Sequence, residues 1–143
     1  MEELNLKIKL SSNATDICPV VRILLDDKEY FSGPVFGEET VEFDAEIDDD
    51  FTLNVEFAGN DPRKLILDSD GMPTNSVTIT ISELSIEGVN ITEIAYDKST
   101  FTIDSHEKYI EEYTIKQCLD FGHKGMWTLP IESPVYIWIL ENL

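Results

Sequence analysis

Apolar and polar residues alternate along most of this chain, the pattern of strands that bury one face and wet the other. LNLKIKL at 4–10 sets Leu4, Leu6, Ile8 and Leu10 against Asn5, Lys7 and Lys9. VEFDAEI at 41–47 sets Val41, Phe43, Ala45 and Ile47 inward and Glu42, Asp44 and Glu46 outward. FTLNVEF at 51–57 repeats the alternation through Phe51, Leu53, Val55 and Phe57, and VTITI at 77–81 through Val77, Ile79 and Ile81. PVVRILL at 19–25 is apolar on both sides and predicts a more central strand. The stretch with the best helical spacing is SHEKYIEEYTIKQ at 105–117, whose Tyr, Thr and Ile content equally suits a strand from about residue 112.

Turn-forming clusters separate these runs: DDK, SGPVFGE, DDD, GNDPR, DSDGMPTNS and EGVN. Asp48-Asp49-Asp50 between 41–47 and 51–57 predicts a tight hairpin. Near the C-terminus, GMWTLPI and PVYIWIL are both of strand length, with Glu132-Ser133 between them. They predict an antiparallel pair, 126–131 with 134–141, with Pro134 at the first position of its strand. A strand apolar on both faces must be covered by a second sheet or by a partner. One of Trp127 and Trp138, but not both, is therefore expected to be mostly buried. Short strands at turn-punctuated spacing give the fold class: all-β, an antiparallel, jelly-roll-like β-sandwich with at most one short helix, as one domain over 1–143.

Charge narrows the partners. A formal net charge of −19, with only ten basic residues and no cluster among them, opposes binding to nucleic acid or to anionic lipid. MEELNLKIKLSSN lacks the basic-then-apolar profile of a secretory leader, and no window reaches the roughly 20 apolar residues of a spanning helix. Membrane insertion is not expected. Cys18 and Cys118 have no metal-type spacing, and both sit in apolar stretches, as buried reduced thiols do.

Catalytic chemistry finds no foothold. There is no G-x-S-x-G, no zinc-type histidine motif and no phosphate-cradling glycine loop, and His106 and His123 lie in polar surroundings. With 29 acidic residues, no carboxylate pair is distinctive. A non-enzymatic role is expected. No cofactor is required by these motifs, and calcium is the one ion they suggest: Asp68-Ser-Asp70-Gly71 copies the start of an oxygen-rich calcium loop, with Asp61 nearby. The closing glutamate of an EF-hand is missing, and an Asx-rich surface loop has the same composition. Trp127, Tyr136 and Trp138, with Tyr30 and Phe36 earlier, are aromatic candidates either for stacking on sugar rings or for the core.

Two stretches resemble small β-sandwich proteins of tailed bacteriophages. NSVTITISELSIEGVNI (75–91) carries their I-x-G-V turn, and FGHKGMWTLPIESPVYIWILENL (121–143) carries G-x-W, S-P-x-Y and W-x-L-x-x-L through Gly125, Trp127, Ser133, Pro134, Tyr136, Trp138, Leu140 and Leu143. That group is similar in fold to calcium-dependent, xylan-type carbohydrate-binding modules. The resemblance implies a phage virion structural protein, a capsid decoration or a tail- or fibre-associated adhesion component. It would be multi-copy, assembled in the host cytoplasm, and in contact with other virion proteins and host surface glycan. Two alternatives stand beside it: a calcium-assisted glycan-binding lectin module, and an acidic inhibitor directed at a host protein.

Overall fold

The computed structural model describes residues 2–12, 19–35, 37–57, 78–103, 114–121 and 125–142. Their order is β1 (Glu2–Ser12), β2 (Val20–Leu25), β3 (Lys28–Pro34), β4 (Glu38–Ile47), β5 (Phe51–Phe57), β6 (Ile79–Ile86), β7 (Val89–Asn90), α1 (Thr92–Lys98), β8 (Thr100–Ile103), β9 (Thr114–Lys116), β10 (Asp120–Phe121), β11 (Gly125–Ile131) and α2 (Val135–Asn142). One sheet runs β10-β6-β1-β4 with β7 beside β6, and the other runs β3-β2-β5-β11-β8-β9. Every pairing among the described residues is antiparallel. The fold is the antiparallel β-sandwich that the alternation predicts.

Alternation becomes burial strand by strand. Leu4, Leu6, Ile8 and Leu10 of β1 face Phe51, Leu53, Val55 and Phe57 of β5 within one core, while Asn5, Lys7 and Lys9 stay outside. Val41, Ala45 and Ile47 are buried from β4, and Glu42, Asp44 and Glu46 are exposed on its outer side. Segment 77–81 belongs to the longer β6, and Val77 lies outside the described residues. β2 takes the inner position expected of it, between β3 and β5. Arg22 is its polar exception, and its guanidinium bonds Glu29 at 2.6 Å and Glu56 at 2.7 Å on the outer face.

Four expectations are corrected. β4 and β5 do not form a hairpin, because β4 pairs with β1 in one sheet and β5 with β2 and β11 in the other. Asp48–Asp50 is thus a crossover between layers. Two helices are present among the described residues, not at most one. Segment 134–141 is not a strand paired with 126–131: β11 pairs with β5 and β8, and 135–142 is the helix α2. Trp127 and Trp138 are both buried, at 0% and 5% exposure, where only one was expected to be. Of the ambiguous segment 105–117, residues 105–113 lie outside the described residues and 114–116 form β9.

The conversion of 134–141 from strand to helix has a physical cause. Val135, Trp138 and Ile139 are the buried residues, a spacing of three and four that only a helix can bury on one side. Asp50 Oδ1 accepts from Ser133 N at 2.8 Å, and the Glu2 carboxylate accepts from Val135 N at 3.1 and 3.3 Å and from the Ser133 hydroxyl. Two acidic side chains thus sit at the positive end of the helix and satisfy donors that lack intrahelical partners.

The I-x-G-V stretch makes the β6–β7 turn. Glu87 and Gly88 both have positive φ, 52° and 77°, as a two-residue type I′ hairpin requires. Glu87 also ties the turn to β1, accepting from Asn5 N at 2.7 Å and donating its own N–H to Asn5 O at 2.8 Å. No helix among the described residues is long and apolar enough to cross a membrane.

Candidate functional site

Directly after that turn, β7 hands the chain to α1, a helix held at both ends. At its start Asn90 Oδ1 accepts from Thr92 N at 2.9 Å and from Thr92 Oγ1 at 2.6 Å, while Thr92 Oγ1 accepts from Leu84 N at 3.0 Å. At its end Ser99 N donates to Ala95 O at 3.0 Å. The buried Ser99 hydroxyl donates to Cys118 O at 2.8 Å, and Trp127 Nε1 donates to the same carbonyl at 2.6 Å. Ile94 and Ala95 anchor the inner side in the core. The opposite side presents Glu93, Tyr96 and Asp97, spaced i, i+3 and i+4 on one face.

That outer face borders two concavities. A cleft of about 690 Å³ is walled by Ser82 and Glu83 of β6, by Asn90 to Ile94 and Asp97 of the α1 segment, and by Asn142 of α2. A shallower hollow of about 350 Å³ is lined by Tyr96 and Leu119 and shares Thr92, Glu93 and Asp97 with the cleft. The Tyr96 ring is 46% exposed beside it. Among the described residues, neither Glu93 nor Asp97 has an ion-pair partner, whereas Glu83 pairs with Lys9 at 3.5 Å. Two like charges at i and i+4 cost an isolated helix roughly 0.2–0.5 kcal/mol. α1 therefore carries its acidic face at a small cost in helix stability.

Two other polar surfaces are held by contacts of their own. On the outer face of the six-stranded sheet, Arg22 joins Glu29 and Glu56, and the guanidinium is held above its usual pKa first by the hydrogen bond to Glu29 and then by the Glu56 charge. Thr102 meets Thr114 and Thr128 meets Asn54, each at 3.2 Å. Where edge strands β3 and β4 approach, Tyr30 stacks on Phe43 with centroids 4.4 Å apart, and the Lys28 ammonium lies 5.1 Å from the Tyr30 ring centre. Tyr30 thus already has an aromatic neighbour and a cation, and is a poor platform for a further ring. Tyr96 has neither.

Trp127 and Trp138 have their rings in the core, and Tyr136 is exposed on α2 with Ile137 and Leu140. The structure does not bring these three together into one surface. Asp61, Asp68, Asp70, Phe36 and Cys18 lie outside the described residues. No cluster of three or more metal-ligating side chains occurs among the described residues. Cys118 is free and buried. Sequence reasoning missed Tyr96 because 92–98 was not assigned a helix. The signals were there in Glu93 in the first turn and Lys98 in the last, the polarity that suits a helix dipole.

No family model and no curated protein matches the chain. Its fold is similar to a solved carbohydrate-binding module, vCBM60 in complex with galactobiose, with a TM-score of 0.53 at 8% identity, covering 89% of this chain and 99% of that one. At that identity the likeness is one of fold.

Proposed function

We propose that this chain is a non-enzymatic glycan-binding domain whose site is the cleft along α1. The observation that carries the proposal is the exposed Tyr96 in a hollow of about 350 Å³ with two carboxylates that have no ion-pair partner among the described residues, beside a cleft of about 690 Å³, both within the roughly 300–1,000 Å³ of small-molecule sites. Sugars offer an apolar C–H face and a rim of hydroxyl donors. An aromatic ring answers the first, and Glu93, Asp97 and the Ser82 hydroxyl oxygen answer the second. The sandwich shared with a galactobiose-binding module supports the same assignment. A glycan array probed with the purified chain should give reproducible ligands. Tyr96→Ala should weaken them about tenfold or more, equivalent to roughly 1.4 kcal/mol, with little change in melting temperature. Undiminished binding by Tyr96→Ala would move the site elsewhere, and an array with no ligand at all would end the proposal.

Display on a phage particle is the second reading, and one observation favours it beyond the sequence resemblance. α2 exposes Tyr136, Ile137 and Leu140 at 55%, 53% and 70%, an apolar face of the kind that assembly contacts cover. In that reading the chain is a multi-copy decoration or adhesion component assembled in the host cytoplasm, with other virion proteins on the α2 side and host glycan at the α1 cleft. Mass spectrometry of purified particles should find it in many copies, and its absence from them would exclude the role. Calcium assistance through Asp61, Asp68 and Asp70 belongs with the glycan-binding reading.

A further inference from the structure

We propose that the α1 cleft prefers glycans bearing free, protonated amines over neutral ones, and excludes uronate or sulfated chains. This rests on the glycan-binding assignment above and names the ligand class of that site. Tyr96, Glu93 and Asp97 line one hollow, so a ring stacked on the tyrosine lies near both carboxylates. Glu83 stands on the β6 wall of the adjoining cleft. Among the described residues, Glu83 has a cation partner and Glu93 and Asp97 have none. Lys9 bonds Glu83 at 3.5 Å, and Lys98, although next to Asp97 in sequence, lines neither the cleft nor the hollow. An ammonium there gains the carboxylates and the face of the tyrosine together, the combination that recognises organic cations. The fold already makes such a contact elsewhere, with Lys28 over the Tyr30 ring. A uronate would instead bring a like charge against Glu93 and Asp97.

The test compares three tetrasaccharides by calorimetry at mildly acidic pH, where a sugar amine carries its proton: glucosamine, N-acetylglucosamine and galacturonic acid. The glucosamine chain should bind about tenfold tighter than its acetylated form, a gap that narrows with added salt, and the galacturonate chain should not bind. Glu93→Gln with Asp97→Asn should erase the gap. Glu42→Gln with Glu46→Gln, the same charge change on the exposed face of β4, should leave it intact. Should the double variant at α1 fold poorly, each single substitution should still narrow the gap. Equal or tighter binding of the acetylated or uronate chain by the native protein would overturn the class while leaving glycan binding in place. An equal loss in the β4 control would also overturn it, by assigning the preference to the overall charge. Failure of every carbohydrate would overturn the underlying assignment instead.

Discussion

Cys118 shows how much one residue in this fold is asked to hold. Its carbonyl accepts from Trp127 Nε1 and Ser99 Oγ, its N–H donates to Ser99 Oγ at 3.3 Å, and its thiol donates to Asp120 O at 2.8 Å. One residue thus joins the end of α1, the β9–β10 crossover and β11. Burial pushes the thiol up from its ordinary 9.0. As pH rises through that value the unfolded chain loses the thiol proton first, so the unfolded state is favoured and stability falls. Melting temperature should therefore decline above about pH 9, and the decline should be shallower in Cys118→Ala than in the native chain. An identical slope in both would show that other groups govern the alkaline limb. Trp127 has two roles that substitutions separate. Trp127→Phe removes one of two donors to a buried carbonyl, and should cost about 1–2 kcal/mol in urea unfolding. Trp127→Ala, which also empties the core site, should cost about 3–5 kcal/mol.

At the scale of elements, alternation was enough to orient strands and not enough to pair them. The inward residues of β1, β4 and β5 follow from period two, because a side chain's face depends only on its own strand. Which strand lies alongside is a tertiary matter, and Asp48–Asp50 looks the same whether it closes a hairpin or crosses between sheets. α2 was illegible for a related reason. An apolar run with no polar face has no period to read, and its β-branched and aromatic residues favour a strand. What makes it a helix lies far off in sequence, since Glu2 reaches Val135 N across 133 positions and Asp50 reaches Ser133 N across 83. Glu2→Ala should therefore cost about 0.5–2 kcal/mol in chemical unfolding, the range for losing a helix cap. Glu2→Gln, which keeps an oxygen but not the charge, should cost less. No effect from either would mean that packing of Val135, Trp138 and Ile139 suffices to hold α2. The candidate site was missed through the same gap, since Tyr96 gains its setting only once 92–98 is helical and Asn142 of α2 is brought to the far wall of the cleft.

For the whole molecule the governing quantity is a net charge of −19 folded into one sandwich. Ion pairs do little to relieve it: among the described residues there are three, two of which share Arg22, and exposed pairs of this kind are worth about 0–1 kcal/mol. Compaction brings the unpaired carboxylates closer together, so self-repulsion opposes folding. Added salt should therefore raise the melting temperature, because screening acts more strongly on the compact state. The same measurement separates screening from specific calcium binding. Sodium chloride and calcium chloride at matched ionic strength should raise stability equally if the ions only screen. A site for calcium adds RT ln(1 + [L]/Kd), about 2.7 kcal/mol when calcium exceeds Kd a hundredfold. We expect calcium to exceed sodium, the excess to vanish on chelation, and Asp68→Asn with Asp70→Asn to remove it while the sodium response persists. Equal responses to the two salts would leave the DSDG stretch an ordinary surface loop, and glycan binding at the α1 cleft would then have to proceed without the ion. That outcome is physically admissible, because among the described residues Tyr96, Glu93 and Asp97 are positioned by Thr92, Ser99 and the core.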